Sequence, residues 1–61
     1  MEWWLARDRD GVLCLFDYKP FENEYGCWAS YGNCYIIDDD LFSEITFENS
    51  PREVEIKIKI D

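Results

Sequence analysis

The residues of this 61-residue chain that could do chemistry are carboxylates, thiols and arginines, and the sequence contains no histidine. The densest group is the run Asp38, Asp39 and Asp40, which suggests paired carboxylates or a divalent-cation site. Successive side chains at the end of a strand point to alternating sides, however, and the run lacks the interleaved DxDxDG spacing of a calcium loop. We therefore interpret the run as solvated charge and predict no metal site.

Catalysis is the function class that these residues support least. Without histidine, the usual general base near neutral pH is missing and the familiar nucleophile triads cannot be assembled. The three cysteines, Cys14, Cys27 and Cys34, lack CxxC spacing, and a zinc site would need all of them plus a carboxylate. We predict no enzyme activity and no cofactor. Buried free thiols are the favoured state of the cysteines, and a Cys27–Cys34 pair across a hairpin is the alternative.

Negative charge is concentrated in the middle of the chain. The sequence has 14 acids and six bases, and residues 20–50 contain seven acids and no base. A surface of this kind repels phosphate backbones, so we predict no direct binding of DNA or RNA. It can instead imitate nucleic acid and occupy a basic groove of a protein. The alternative is that the charge only keeps a small aromatic-rich domain soluble.

Period-two patterns dominate the elements that must position these groups. The segments EWWLARD and VLCLFDY read as strands, and Asp10-Gly11 between them predicts a hairpin turn. Further short strands are predicted at CWASY, CYIID, ITFEN and the C-terminal REVEIKIKI. Asp39 or Asp40 is placed to cap one helical turn near residues 39–44. The sequence predicts one all-β domain over residues 1–61, a small antiparallel sheet or meander of four to six short strands.

Apolar side chains are numerous for so short a chain, with 11 aromatic residues among the 61. Trp3 and Trp4 are adjacent, so a strand carrying them has a large ring on each face and needs cover on both. The alternating tail, whose apolar positions are Val54, Ile56, Ile58 and Ile60, either covers the aromatic face of the hairpin or meets another copy of the chain. Lys57 and Lys59 are typical guards of an exposed sheet edge. We predict a homo-oligomer.

Two sets of candidate binding residues follow, and for each aromatic member the alternative is plain core packing. The first set would dock an acidic surface with aromatic anchors on a protein that has a basic surface. Its members are Glu22, Glu24, Trp28, Tyr31, Asp38, Asp39, Asp40, Phe42 and Glu44. The second set would hold a nucleotide inside an oligomer, with rings on the base and arginines on phosphate. Its members are Trp3, Trp4, Arg7, Arg9, Trp28 and Arg52.

The segments WWLARDRDGVLCLF and YIIDDDLFSEITFENSP, with the alternating tail, resemble small uncharacterised acidic proteins of bacterial phages and prophages. This resemblance implies an accessory protein that blocks a host defence, either by covering a host protein or by sequestering a nucleotide signal. A structural virion component is a further alternative. No apolar run is long enough to span a membrane and no signal peptide is recognisable, so the expected location is the cytoplasm of the host cell.

Overall fold

The structure, a computed structural model, describes residues 2–55 and contains six short β-strands. All strand pairings are antiparallel. In the described part of the chain there is no helix, so the predicted all-β class and strand number are confirmed. The strands are β1 (Trp3–Arg7), β2 (Leu13–Phe16), β3 (Phe21–Glu22), β4 (Trp28–Ala29), β5 (Cys34–Ile37) and β6 (Arg52–Val54).

The predicted hairpin of the first two strands is present, with Leu5 opposite Leu15. Its turn is closed by the Gly11 amide, which donates to the Asp8 carbonyl at 3.0 Å. Gly11 has a φ of 96°. Only a residue without Cβ adopts this left-handed conformation at no steric cost, so the Asp10-Gly11 signal identified the turn for the right reason.

The strands form two sheets. Four of them make a sheet in the order β5-β2-β1-β6, and β3 and β4 pair separately as a small hairpin. Strand β6 contains Val54, which lies opposite Trp3, so the start of the predicted C-terminal strand is confirmed. The rest of that strand, Ile56 to Ile60, lies outside the described residues.

The core lies on one face of the four-stranded sheet. Leu5 and Leu13 are buried there with Ile45, which comes from the segment between β5 and β6. Leu15, Ile37 and Val54 pack around them. On the opposite face Ala6 and Phe16 are also almost fully buried, at 1% exposure each. Both faces of the central strands are therefore covered within one chain.

The predicted helical turn near residues 39–44 is wrong. Two consecutive turns occupy this segment. In the first, the Leu41 amide donates a hydrogen bond to the Asp38 carbonyl at 3.1 Å, and in the second the Ile45 amide donates to the Phe42 carbonyl at 2.9 Å. Phe42 has a φ of 52°, which no right-handed helix accommodates. The side chain of Asp38, rather than that of Asp39 or Asp40, caps the first turn by accepting the Asp40 amide at 3.0 Å.

All three cysteines are free thiols. Cys14 is half-buried, but Cys27 and Cys34 are exposed, so the expectation of buried thiols is wrong for these two. Across residues 2–55 the structure contains no helix that is long and apolar enough to cross a membrane.

Candidate functional site

Residues 38–45, hereafter the acidic loop, carry five of the nine residues predicted to bind a protein partner. The loop leaves the end of β5 and returns to the core at Ile45, which is 4% exposed. Between these two anchors its side chains are exposed to solvent. The five predicted members are Asp38, Asp39, Asp40, Phe42 and Glu44.

Arg7, at the end of β1, holds the acidic loop in place. Its Nε donates to the Ile45 carbonyl at 2.6 Å. Its two terminal nitrogens donate to four more carbonyls, those of Gly11 at 2.8 Å, Asp39 at 3.1 Å, Leu41 at 3.0 Å and Phe42 at 3.2 Å. A guanidinium has five N–H donors, so every one of them is used on main-chain oxygen. Arg7 is therefore a structural residue, and it has no donor left for a phosphate.

The backbone of Phe42 is strained within this frame. A φ of 52° is an outlier for a bulky residue and persists only where the surroundings enforce it. The enforcing contacts are the two hydrogen bonds that its carbonyl accepts, from Arg7 and from the Ile45 amide. The strained turn leaves the side chains of Phe42 and Leu41 46% and 50% exposed. Two large apolar side chains thus stand beside the aspartates.

The three aspartates lie closer together than the sequence pattern predicted. Oxygen atoms of Asp38, Asp39 and Asp40 all lie within 4.8 Å of one another, and all three residues are exposed. The argument from alternating sides fails because β5 ends at Ile37 and the chain turns at Asp38. Exposed carboxylates are common without a bound ion, so this proximity does not by itself make a metal centre.

Two more carboxylates, Asp8 and Asp10, belong to the same end of the sheet. One nitrogen of Arg7 donates to both the Gly11 and the Asp39 carbonyl, so the β1–β2 turn and the acidic loop lie side by side. The thiol of Cys14 responds to this charge. Its pKa is raised from 9.0 to about 11, chiefly by burial and then by the negative charge of Cys34, Asp8 and Asp10.

The hairpin β3–β4 carries the other predicted acids, Glu22 and Glu24. The turn between its strands is organised by Asn23, whose side-chain oxygen accepts the amides of Tyr25 at 2.9 Å and Cys27 at 3.0 Å. Both glutamates are exposed. Among the described residues no hydrogen bond joins them to the acidic loop, so the predicted acids lie on two separately held elements.

Trp28 attaches this hairpin to the sheet. Its indole N–H donates to the Arg7 carbonyl at 3.1 Å, and its amide donates to the Asp8 carboxylate at 3.1 Å. Its ring packs on Phe47 at 6.0 Å between centroids, and the Arg9 guanidinium covers the Phe47 ring at 4.7 Å. Trp28 is half-buried and its polar atom is engaged, so it serves the fold. The predicted anchor Tyr31 is 94% exposed.

The structure brings together only part of the predicted nucleotide site, namely Trp28, Arg7 and Arg9, which meet around Phe47 and the end of β1. Adjacent positions on β1 place Trp3 and Trp4 on opposite faces of the sheet. Trp3 packs 6.5 Å from the Tyr35 ring, and the Lys19 amine lies 5.5 Å above the Trp4 ring. Arg52 is exposed on the edge strand β6.

An open groove of about 510 Å³ runs beside the acidic loop, and sequence reasoning missed it. Arg9 and Phe47 lie along it together with Asp8 and Glu48. The segment that could have indicated this groove is ITFEN. Its pattern predicts a strand, but its last three residues form a turn, and the Phe47 ring lies against Arg9.

Comparison of the chain with protein-family models, with curated proteins and with solved structures finds no match.

Proposed function

We propose that this chain is a non-enzymatic binding protein that docks its acidic loop on a basic surface of a protein that handles nucleic acid, and thereby blocks that surface. The observation that carries the proposal is that four of the five Arg7 hydrogen bonds hold the loop, while the fifth ties Arg7 to the β1–β2 turn at Gly11. The loop presents three carboxylates within 4.8 Å of one another beside two half-exposed apolar side chains.

This combination suits a protein partner because each part contributes a different term to binding. Clustered negative charge accelerates encounter with a basic surface and rejects acidic ones. Apolar side chains that fill pockets supply most of the affinity of a typical interface. A loop that is already rigid loses little conformational entropy on docking. The resemblance to phage proteins adds a setting, in which the blocked protein belongs to the defence of a bacterial host and is met in its cytoplasm.

A pair of matched triple variants tests the role of charge. The first is Asp38→Asn/Asp39→Asn/Asp40→Asn, in which the amide oxygen introduced at position 38 can still cap the turn. The second is Glu22→Gln/Glu24→Gln/Glu48→Gln, which removes the same charge elsewhere. Proteins retained from bacterial lysate on the immobilised chain are identified by mass spectrometry and then purified. We expect the first variant to lose at least about tenfold in affinity and the second to change it little.

Competition supplies the second half of this test. The retained protein should bind duplex DNA or RNA, and the chain should displace that nucleic acid. Equal binding by both triple variants, or a partner whose nucleic acid is not displaced, would contradict the proposal. Calorimetry with cyclic and linear nucleotides separates this function from nucleotide sequestration, for which binding heat is expected.

The apolar contribution is tested at Leu41, whose carbonyl rather than side chain is held by Arg7. Leu41→Ala should leave the loop in place and weaken partner binding by about tenfold, since a half-exposed leucine is free to enter a pocket. Tyr25→Ala, an exposed aromatic on the hairpin, is the control. A larger loss with Tyr25→Ala would move the binding surface to the hairpin.

A further inference from the structure

Within residues 2–55, strand β5 is an edge strand that lacks the protection usual at sheet edges. It ends the order β5-β2-β1-β6 on one side, and no charged residue occurs between Glu24 and Asp38. Ile36 is 77% exposed and Tyr35 is 49% exposed. The opposite edge, β6, carries Arg52 and Glu53. Exposed edges without charge, proline or a bulge pair readily with another strand.

The hydrogen-bond ladder determines which groups of β5 face outward. The Asp17 amide donates to the Asn33 carbonyl, so these opposite residues bond to each other across β2 and β5. Bonded pairs alternate along an antiparallel ladder, which makes Tyr35 and Ile37 the next residues of β5 that bond to β2. The amides and carbonyls of Cys34 and Ile36 therefore point away from the sheet, and both residues are exposed.

We propose that a second copy of this chain pairs with β5 in antiparallel fashion across a twofold axis, with Tyr35 opposite the partner's Tyr35. In this register Cys34 and the partner's Ile36 exchange both of their main-chain hydrogen bonds, and the twofold axis repeats the exchange. Four hydrogen bonds join the two sheets into one. The Tyr35 rings meet on one face, while Ile36 contacts the partner's Cys34 on the other.

Charge favours this occupant and this direction. With a net charge of −8 the chain repels its own copies wherever acids meet. A parallel pairing would place Asp38, Asp39 and Asp40 beside the same residues of the partner. The antiparallel pairing places them beside the partner's uncharged segment 30–32. The uncharged stretch that ends with β5 therefore opposes few carboxylates, since the one beside it, that of Asp17, is already hydrogen-bonded to the amide and side chain of Asn33.

The solution mass of the full chain is the first test. Light scattering coupled to size exclusion, over micromolar to millimolar concentrations, should show a species of twice the 7.4 kDa chain mass. Ile36→Pro removes an outward amide but no bond to β2, and proline is tolerated at such edge positions. Because both copies lose a hydrogen bond, we expect the dissociation constant to rise by about thirtyfold. A monomer at every concentration overturns the proposal.

A charge-matched pair controls for any effect of Ile36→Pro on folding. Ile36→Lys and Tyr25→Lys add the same charge to exposed positions of the same uncharged stretch, and Tyr25 lies outside the paired segments. Only Ile36→Lys lies on β5, so only this variant should be monomeric, with an unchanged circular dichroism spectrum. A dimer that survives Ile36→Lys uses another surface and contradicts the proposal.

Disulfide trapping tests the register. In a background of Cys14→Ala, Cys27→Ser and Cys34→Ser, Tyr35→Cys places two thiols directly opposite each other, within the range of a disulfide. In the proposed register position 33 lies opposite position 37 of the second copy, so the two thiols of Asn33→Cys are four residues apart along the strand and cannot form a disulfide. Mild oxidation should trap the first as a covalent dimer and not the second. Trapping of Asn33→Cys in preference to Tyr35→Cys would overturn the register.

Discussion

The acidic loop and the hairpin β3–β4 both carry predicted partner-binding acids, but they are held in different ways. The loop has four hydrogen bonds from the Arg7 guanidinium and a core anchor at Ile45. The hairpin has two residues in each strand and connects to the sheet through Trp28. The carboxylates of the acidic loop are therefore attached to a firmly held backbone, whereas those of the hairpin are attached to an element of marginal stability. Carboxylates become a defined surface where the backbone beneath them is fixed.

Removal of Arg7 should have the largest effect on stability, because the acidic loop would then be held no more firmly than the hairpin. Arg7→Ala leaves main-chain carbonyls without donors, and we expect the free energy of unfolding to fall by about 3 kcal/mol. Arg7→Lys should recover less than half of the loss, since an ammonium has only three donors and no planar fork. Urea denaturation followed by tryptophan fluorescence measures both. Arg52→Ala, at an exposed arginine, is the control. Equal stabilities of Arg7→Ala and Arg52→Ala would show that the loop does not depend on the guanidinium.

Weakening the Trp28 attachment should have a smaller effect, confined to the hairpin. Trp28→Phe keeps a ring against Phe47 but removes the indole hydrogen bond to the Arg7 carbonyl. We expect a loss of about 1 kcal/mol. Hydrogen exchange should accelerate at the amides of residues 21–29 and remain unchanged at Leu41 and Ile45. Faster exchange in both regions would mean that the loop and the hairpin open together.

The carboxylates at the end of the sheet should also act on Cys14, with a still smaller effect on stability. Burial and nearby negative charge raise its pKa to about 11, so the folded state holds the thiol proton more tightly than the unfolded state. This contribution to stability is complete below pH 9.0 and is lost as pH rises to about 11. The melting temperature of the wild type should therefore fall more steeply over that range than that of Cys14→Ala. Parallel curves would exclude the contribution.

The smallest effect is expected from removal of the Asp40 charge, and Asp38, whose side chain caps a turn, is the contrast. Asp40→Asn relieves repulsion among three carboxylates and should raise the free energy of unfolding by about 0.3 kcal/mol at low salt. Asp38→Ala should instead lower it by about 1 kcal/mol, because the Asp38 oxygen caps the Asp40 amide. Urea titrations at low and high salt distinguish the two. A stabilised Asp38→Ala variant would show that repulsion outweighs the cap.

Most of the strands could be predicted because their signals are local. Alternation in EWWLARD and VLCLFDY and the glycine of the turn between them determine the hairpin without reference to distant residues. The pairings of β2 with β5 and of β1 with β6 depend on contacts between segments that are distant in the sequence. Period-two patterns carry no information about such contacts.

The candidate site was predictable in its members and not in its geometry. The acids and Phe42 are visible in the sequence, but the hydrogen bonds that fix them come from Arg7, more than 30 residues away. Main-chain carbonyls leave no trace in side-chain patterns, so the sequence alone predicts a phosphate contact for Arg7. The helical turn was predicted from a capping pattern that Phe42, with its left-handed backbone, interrupts.

The hydrogen bonds of Arg7 to the acidic loop all go to main-chain carbonyls, which every amino acid, proline included, offers in nearly the same form. Side-chain identity at Asp39 and Leu41 is therefore decoupled from loop shape. The Arg7 hydrogen bonds would remain if these residues were exchanged for others of different size or charge. A library of variants at these two positions would therefore change which partners the loop binds while its backbone conformation stays the same.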